Sequence, residues 1–118
     1  YELVLKASDA AIKKVQVGAD YYNDVHMTAK GILDDAGYGE YFIHGTGHFL
    51  GLDVHDVGND NLPLKAGVVL TVEPGIYIAE EGIGIRIEDD ILVTKDGPVL
   101  LSRHIPRTVL EIESVMSH

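Results

Sequence analysis

The chain has 118 residues, of which 46% are hydrophobic, so it is long enough for one domain with a buried core and too apolar for a disordered chain. Its formal charge of -10 argues against nucleic acid or an anionic membrane as a partner, and no apolar run approaches the ~20 residues of a membrane helix. The sequence contains no cysteine, which excludes disulfides and thiolate ligands. This is compatible with the cytoplasm, where we expect the protein.

Two helices are predicted in the first third of the chain. Residues 4–15 carry apolar side chains at helical spacing, and residues 22–36 repeat this pattern. Asp20 is the expected N-cap of the second helix, and Gly37 is expected to close it. We interpret His26, a lone histidine on the second helix, as a structural or exposed residue rather than a metal ligand.

The patterns after the second helix are typical of strands and loops. We predict a short strand at 41–43, a connecting loop at 58–63 and a buried strand at 68–72. Two hairpins are predicted, one with Glu80-Glu81 in its turn and one with Asp96-Gly97 in its turn. Two helices followed by antiparallel strands predict an α+β fold.

The most distinctive segment is residues 44–56, His-Gly-Thr-Gly-His-Phe-Leu-Gly-Leu-Asp-Val-His-Asp, which holds three histidines and two aspartates. Glycine at this density disfavours a helix, so His44 and His48 are not expected to share a helix face although they are four residues apart. A turn-rich segment instead allows the imidazoles to converge on one point. The alternative is a polar loop with incidental histidines, and the glutamates downstream argue against it.

Two of these glutamates are predicted to face each other. If Glu80-Glu81 forms the hairpin turn, Glu73 falls opposite Glu88, whereas a shift by one residue would place Asp89 there instead. Like charges directly opposite each other destabilise a sheet, so two carboxylates in this position require a cation, a shared proton or good solvation. The histidine-rich segment close upstream favours a metal ion.

Three motifs in order resemble those of the metal-dependent Xaa-Pro peptidases with the pita-bread fold, most closely aminopeptidase P and prolidase. They are His-Gly-Thr-Gly-His-x-x-Gly-x-x-x-His-Asp at 44–56, Val-Glu-Pro-Gly at 72–75 and Arg-Ile-Glu-Asp at 86–89. The resemblance extends over residues 1–107. It implies the C-terminal half of a pita-bread fold and an enzyme that releases the N-terminal residue before proline from peptide substrates.

The resemblance also implies a centre of two divalent metal ions. His48, Glu73 and Glu88 correspond to ligands in the family, and Glu88 to the ligand that bridges the two ions. Carboxylates with one imidazole and no sulfur suit harder ions, so manganese is the expected metal, with cobalt, zinc and iron as alternatives.

Further roles follow from the same resemblance. Glu73 corresponds to a residue that moves protons during catalysis, and His55 to a histidine that contacts the scissile carbonyl and stabilises its developing charge. His44 corresponds to a pocket histidine near the proline side of the substrate. Arg86 corresponds to an arginine that supports the substrate site through hydrogen bonds.

Two aspartate ligands of the family have no counterpart in this sequence. Asp24 and Asp35 lie in a helical pattern and lack the surrounding motif, so we interpret them as solvated or capping residues. We therefore expect residues 1–118 to be the C-terminal part of a catalytic domain whose upstream half is absent. Alone, this chain is expected to be inactive, poor in metal and prone to self-association, and the parent enzyme to be a homo-oligomer.

Three alternatives to an Xaa-Pro aminopeptidase remain. A prolidase, which cleaves dipeptides only, is not separated from aminopeptidase P by these motifs. Creatinase-like chemistry does not need the full ligand set, and a non-catalytic pita-bread module that binds proteins typically loses ligands. The presence of His48, Glu73 and Glu88 together favours a peptidase.

Overall fold

The structure is a computed structural model that describes residues 1–117, and within them it contains three α-helices and five β-strands. The helices are α1 (Glu2–Lys13), α2 (Met27–Asp35) and α3 (Val109–Met116). The strands are β1 (Val69–Val72), β2 (Gly75–Ile78), β3 (Ile83–Arg86), β4 (Asp89–Thr94) and β5 (Gly97–Leu100). The predicted α+β fold is confirmed. Among the described residues, no helix has the length and apolarity needed to cross a bilayer.

Both helices predicted in the first third of the chain are present. Asp20 caps the second one, because its Oδ1 accepts a hydrogen bond from the Asn23 amide over 2.7 Å. A π-helical turn, Tyr21–His26, then leads into α2. Gly37 follows α2 with a φ of 83°, the left-handed conformation that favours glycine after a helix.

Two predictions of local structure need correction. The strand predicted at 41–43 is wrong, because Gly39–Tyr41 form a 3-10 turn and the Phe42 ring packs against the rings of His26 and His44. Helix α3 was not predicted, although the sequence carries its start signal. Thr108 and Glu111 form a capping box, a pair of reciprocal side-chain hydrogen bonds to the backbone.

The strands form two antiparallel sheets, with β4 between β1 and β5 in one and β2 beside β3 in the other. Val72 pairs with Asp89 at one end of the first sheet, and Gly75 pairs with Arg86 in the second. Both registers agree with the predicted turn, which is a 3-10 turn at Ala79–Glu81. Residues 73–74 therefore lie opposite 87–88, between the two sheets.

The histidine-rich segment lies along the free edge of β1. The amide of Leu50 donates to the Val69 carbonyl over 2.9 Å, and the amide of Thr71 donates to the His48 carbonyl over 2.8 Å. These bonds extend the antiparallel pattern of the sheet by one irregular strand and cover an edge that would otherwise be unpaired. They also fix the position of His48 relative to the end of β1.

The helices and the larger sheet share one core. Helix α1 packs against α2 and contacts β1 and β5. The buried apolar side chains include Val4, Ala7, Ala11, Val25, Ala29, Leu33, Leu70, Val72, Ile91 and Val93. Burial of these side chains is the main stabilising term, and it anchors both β1 and β4 next to the glutamates that follow or precede them.

A buried ion pair ties the segment after β5 to this core. Arg107 Nε donates to Asp89 Oδ2 over 2.6 Å, and Ser102 Oγ donates to Asp89 Oδ1 over 2.6 Å. Arg107 Nη1 also donates to Asp9 Oδ1 on α1 over 2.9 Å. Asp89 is 1% exposed, so its charge depends on these partners.

We predict that Arg107→Ala lowers the free energy of unfolding by about 3 kcal/mol, because it leaves the buried Asp89 carboxylate without its cation. Urea unfolding of the purified chain measures this loss. Arg103→Ala is the matched control, since Arg103 is an exposed arginine of the same segment and its removal should change stability by less than about 0.5 kcal/mol. Equal effects of the two substitutions would contradict a structural role for the ion pair.

Candidate metal centre

Three side chains from separate elements converge at one point. His48 comes from the segment beside β1, Glu73 directly follows β1, and Glu88 directly precedes β4. One ligand atom from each lies within 4.8 Å of the other two, and His48 Nε2 is 3.5 Å from Glu73 Oε2. The three residues named as ligands by the sequence motifs are thus brought together.

The hydrogen bond of His48 leaves the correct nitrogen free for a metal. Its Nδ1 lies 3.0 Å from the Phe49 carbonyl oxygen, which can only accept, so Nδ1 carries the proton. In the neutral ring, Nε2 then presents a lone pair toward Glu73. A lone pair aimed at a carboxylate is unfavourable unless a cation or a proton lies between them, and backbone-anchored imidazoles of this kind are common metal ligands.

The two glutamates repel each other as predicted from the register. Partial burial raises the pKa of Glu88, and the hydrogen bond and negative charge of Glu73 raise this pKa further. Arg86 acts in the opposite direction, with its Nε 3.9 Å from Glu88 Oε2. The repulsion between two neighbouring carboxylates is relieved when they share a proton or a cation.

This donor set fits a divalent metal ion. It offers one imidazole nitrogen and two carboxylates, with excess negative charge that a cation would neutralise. In the described part of the chain, no aspartate joins the group. Asp24 Oδ2 instead accepts a hydrogen bond from the Asp20 amide, and Asp35 is exposed at the end of α2, in agreement with their interpretation as capping or solvated residues.

His55 lies beside the three-residue group. Its ring centroid is 4.1 Å from that of His48, and its side chain is exposed. The backbone returns to the sheet immediately afterwards, because the Asp56 amide donates to the Phe49 carbonyl over 3.1 Å. His55 is therefore close enough to act on a molecule bound at the group without belonging to it.

His44 is held by the β2–β3 hairpin rather than by the metal group. Its Nδ1 donates to the Gly45 carbonyl over 2.8 Å, and its Nε2 accepts from the Tyr77 hydroxyl over 2.7 Å. Interaction with the Tyr77 side chain raises the pKa of the Arg86 guanidinium. Tyr77 thus interacts with two of the residues predicted to bind substrate, His44 and Arg86.

Tyr77 was not predicted as a site residue, although the sequence carries a signal for it. Tyr77 pairs with Gly84, and a Cβ atom at Gly84 would lie 3.2 Å from the Tyr77 ring. A Cβ at Gly75 would lie 2.9 Å from the Tyr77 hydroxyl oxygen. Because Gly75 and Gly84 have no side chains, the Tyr77 side chain has room to lie across the hairpin.

Thr71 and Gly47 were also missed, and both set the position of His48. The His48 amide donates to Thr71 Oγ1 over 2.9 Å. At Gly47 a Cβ would lie 2.0 Å from the Thr71 carbonyl oxygen and 2.5 Å from the Tyr21 hydroxyl oxygen, so no side chain fits there. Close backbone approach is the reason for glycine at this position.

The sequence and the fold match those of known metallopeptidases. The sequence model of metallopeptidase family M24 matches residues 1–95. The Bacillus subtilis (strain 168) protein named "Putative dipeptidase YkvY" is 50% identical over 109 residues, which cover 88% of this chain and 29% of that protein. The Xaa-Pro aminopeptidase of Haemophilus influenzae is 38% identical in an alignment that covers 99% of this chain and 34% of that protein.

A solved structure shows the same fold. The structure described as a "putative aminopeptidase P from Bacillus anthracis" superimposes with a TM-score of 0.91 at 44% identity, over 98% of this chain and 30% of that chain. The predicted pita-bread resemblance is confirmed at the level of the fold. The chain spans about 30% of the length of the relatives it matches.

We predict that the chain binds one Mn²⁺ weakly and that Glu88→Gln lowers this affinity by roughly tenfold or more, because it removes a charged ligand. Isothermal titration with Mn²⁺ provides the measurement. Glu81→Gln, which removes an exposed glutamate from the hairpin turn, is the control and should bind as the unmodified chain does. Two tight ions in the unmodified chain, or unchanged affinity in Glu88→Gln, would contradict the assignment.

Glu88→Gln should also stabilise the folded chain when no metal is present. Since the pKa of Glu88 is raised above its ordinary value of 4.5, ionisation of Glu88 destabilises the folded chain at neutral pH. Glu88→Gln should therefore raise the melting temperature in a chelating buffer at neutral pH. The gain should vanish as the pH falls through the raised pKa to below 4.5, where Glu88 is protonated in both states. A lower melting temperature for Glu88→Gln at neutral pH would contradict this account.

Proposed function

The chain belongs to metallopeptidase family M24, and from this membership we propose that it forms part of a dinuclear metal-dependent exopeptidase that removes the N-terminal residue before proline. The observation that carries the proposal is the convergence of His48, Glu73 and Glu88 within 4.8 Å. The similarity to a protein named Xaa-Pro aminopeptidase supports the choice of substrate.

His48, Glu73 and Glu88 would hold divalent ions, with manganese the preferred metal for this donor set. Such ions act as Lewis acids that activate water and polarise a peptide carbonyl near neutral pH. The contribution of the chain is to place its ligands before the ions arrive. The backbone hydrogen bond of His48 fixes the ring nitrogen that faces Glu73, and the pairing of β1 with β4 brings Glu88 to Glu73.

Glu73 and His55 are proposed to act on the reacting bond. Glu73, as a member of the ligand group, would take a proton from the attacking water and then deliver a proton to the departing nitrogen. His55, exposed beside His48, can donate a hydrogen bond to the carbonyl oxygen as negative charge develops there. For these roles, the Glu73 carboxylate and the His55 imidazole would each have to face the bound substrate.

The proposed substrate pocket is the cluster of His44, Tyr77 and Arg86. Tyr77 and Arg86 lie on the hairpin that follows Glu73, and His44 packs against Tyr77 from the histidine-rich segment. The rings of His44 and Tyr77 offer a surface of the kind a proline ring packs against. The position of Arg86 within reach of both Tyr77 and Glu88 connects this pocket to the metal ligands. A substrate bound at this cluster would lie beside the hairpin that leads from Glu73 to Glu88.

We further propose that residues 1–118 are the C-terminal part of a pita-bread catalytic domain in a longer, cytoplasmic, homo-oligomeric enzyme. Two observations support the proposal that the chain is part of a longer domain. The chain spans about 30% of its relatives, and the described residues supply three ligands where the family resemblance implies five. The other part of the domain would supply the two aspartates, and without it the chain would be inactive.

A dipeptidase of the prolidase type is the second candidate. The name of the Bacillus subtilis relative favours it. The two candidates differ in the length of peptide they accept rather than in the chemistry of the site. Xaa-Pro dipeptides and Xaa-Pro-Xaa tripeptides therefore distinguish them.

We predict that the longer protein, assayed with Mn²⁺, cleaves Xaa-Pro-Xaa much faster than Xaa-Ala-Xaa and loses its activity on exhaustive chelation. The expected proline preference rests on the family resemblance, and the expected chelator effect follows from the ligand group. Release of the first residue is followed by chromatography. Equal rates on both peptides would refute the proline preference, and full activity after chelation would refute a metal mechanism. Cleavage restricted to dipeptides would identify a prolidase instead.

In the same protein, His55→Ala should lower kcat at least ~100-fold while the metal content stays nearly unchanged, because His55 is proposed to contact the substrate rather than the metal. Metal analysis alongside steady-state kinetics separates the two effects. His104→Ala replaces an exposed histidine after β5 and should leave both quantities unchanged. A His55→Ala protein stripped of metal would show that His55 is a ligand.

A further inference from the structure

His26, at the end of the π-helical turn before α2, contacts the segment that carries His48. We propose that His26 is a positioning residue that holds residues 44–48 against β1, so that His48 and Glu73 converge. This inference refines the interpretation of His26 as merely structural, and its relevance to catalysis rests on the proposed function. No ligand of the metal group touches His26 directly, so its effect is transmitted through the segment.

The first connection runs through Thr46. His26 Nδ1 lies 2.7 Å from Thr46 Oγ1, and Thr46 is completely buried. The carbonyl of Thr46 accepts a hydrogen bond from the amide of Glu73 over 2.5 Å. One residue therefore receives the His26 contact on its side chain and the Glu73 contact on its backbone. A shift of Thr46 would displace the backbone of Glu73.

The second connection runs through aromatic rings. The His26 ring stacks on Tyr22 with a centroid distance of 5.1 Å and an interplanar angle of 28°, and it lies 5.5 Å from the Phe42 ring. Phe42 in turn meets His44 edge-on, with centroids 5.3 Å apart. His26 thus supports the segment at its start, through Phe42, and at its centre, through Thr46.

These two contacts require different properties of one side chain. A flat ring is needed to pack between Tyr22 and Phe42, and a polar ring atom is needed to satisfy the buried hydroxyl of Thr46. Leucine would fill space but leave the hydroxyl without its partner. Asparagine would place a polar atom near the position of Nδ1 and restore the hydrogen bond. The pair of substitutions therefore isolates the polar contact.

The test measures amide hydrogen exchange by NMR in the metal-free chain. In His26→Leu, exchange of the Glu73 amide should accelerate at least ~tenfold more than exchange of the Ala11 amide, which lies in the buried face of α1 and reports global unfolding. His26→Asn should return the Glu73 rate toward that of the unmodified chain. Equal acceleration of the Glu73 and Ala11 amides in His26→Leu would overturn the inference, since it would show a general loss of stability.

A second variant keeps the test decisive if His26→Leu does not fold. Thr46→Val removes Oγ1 and keeps the backbone, so it should accelerate Glu73 exchange to a similar extent. A His26→Leu, Thr46→Val chain should show no further acceleration beyond either single variant, since both remove the same bond. An additive effect, or unchanged Glu73 exchange in Thr46→Val, would contradict transmission through Thr46.

Mn²⁺ titration separates this inference from the proposed function. His26→Leu should bind Mn²⁺ roughly tenfold more weakly, as expected when support for a ligand is removed, whereas His26→Asn and the exposed-site control His104→Leu should not. If the unmodified chain binds no Mn²⁺ while Glu73 exchange responds as expected, the predicted metal binding by this chain fails and the positioning role stands. If Mn²⁺ binds but His26→Leu leaves both affinity and exchange unchanged, the positioning role fails and the metal proposal stands.

Discussion

The enforced contact between Glu73 and Glu88 is the constraint on which the rest of the site depends. Val72 pairs with Asp89, and Gly75 pairs with Arg86. These two strand pairings fix the backbone of Glu73 opposite that of Glu88. Partial burial and the neighbouring Glu73 raise the pKa of Glu88, and this disfavours the metal-free chain at neutral pH. A cation removes this penalty, so the same geometry that destabilises the fold stabilises a bound metal ion.

The third ligand, His48, is positioned by contacts other than the pairing of β1 with β4. His48 is placed by backbone hydrogen bonds along the edge of β1 and by the absence of a side chain at Gly47. Its imidazole is then oriented by the carbonyl of Phe49. Since these contacts are all made within the chain, they orient the ligand independently of any ion. Such preorganisation is what a metal site needs for affinity, because ordering the ligands on binding would oppose it.

The sequence predicted those parts of the molecule whose rules are local. Helical spacing located α1, capping at Asp20 and Gly37 located α2, and the hairpin turn set the register that opposes Glu73 to Glu88. Other parts depend on tertiary contacts that spacing does not encode. Phe42 has high strand propensity but packs its ring between two histidines, and Tyr77 and Thr46 acquire their roles from partners 33 and 20 residues away in sequence. The motif resemblance named the ligands, whereas the residues that hold them became visible only in three dimensions.

The central claim is that His48, Glu73 and Glu88 bind a divalent metal ion. It is tested most directly by a crystal structure of the protein grown with Mn²⁺, with diffraction data collected on both sides of the manganese absorption edge. The account predicts an anomalous peak within bonding distance of His48 Nε2 and of a carboxylate oxygen from each glutamate. A peak elsewhere, or no peak at saturating Mn²⁺, would contradict it.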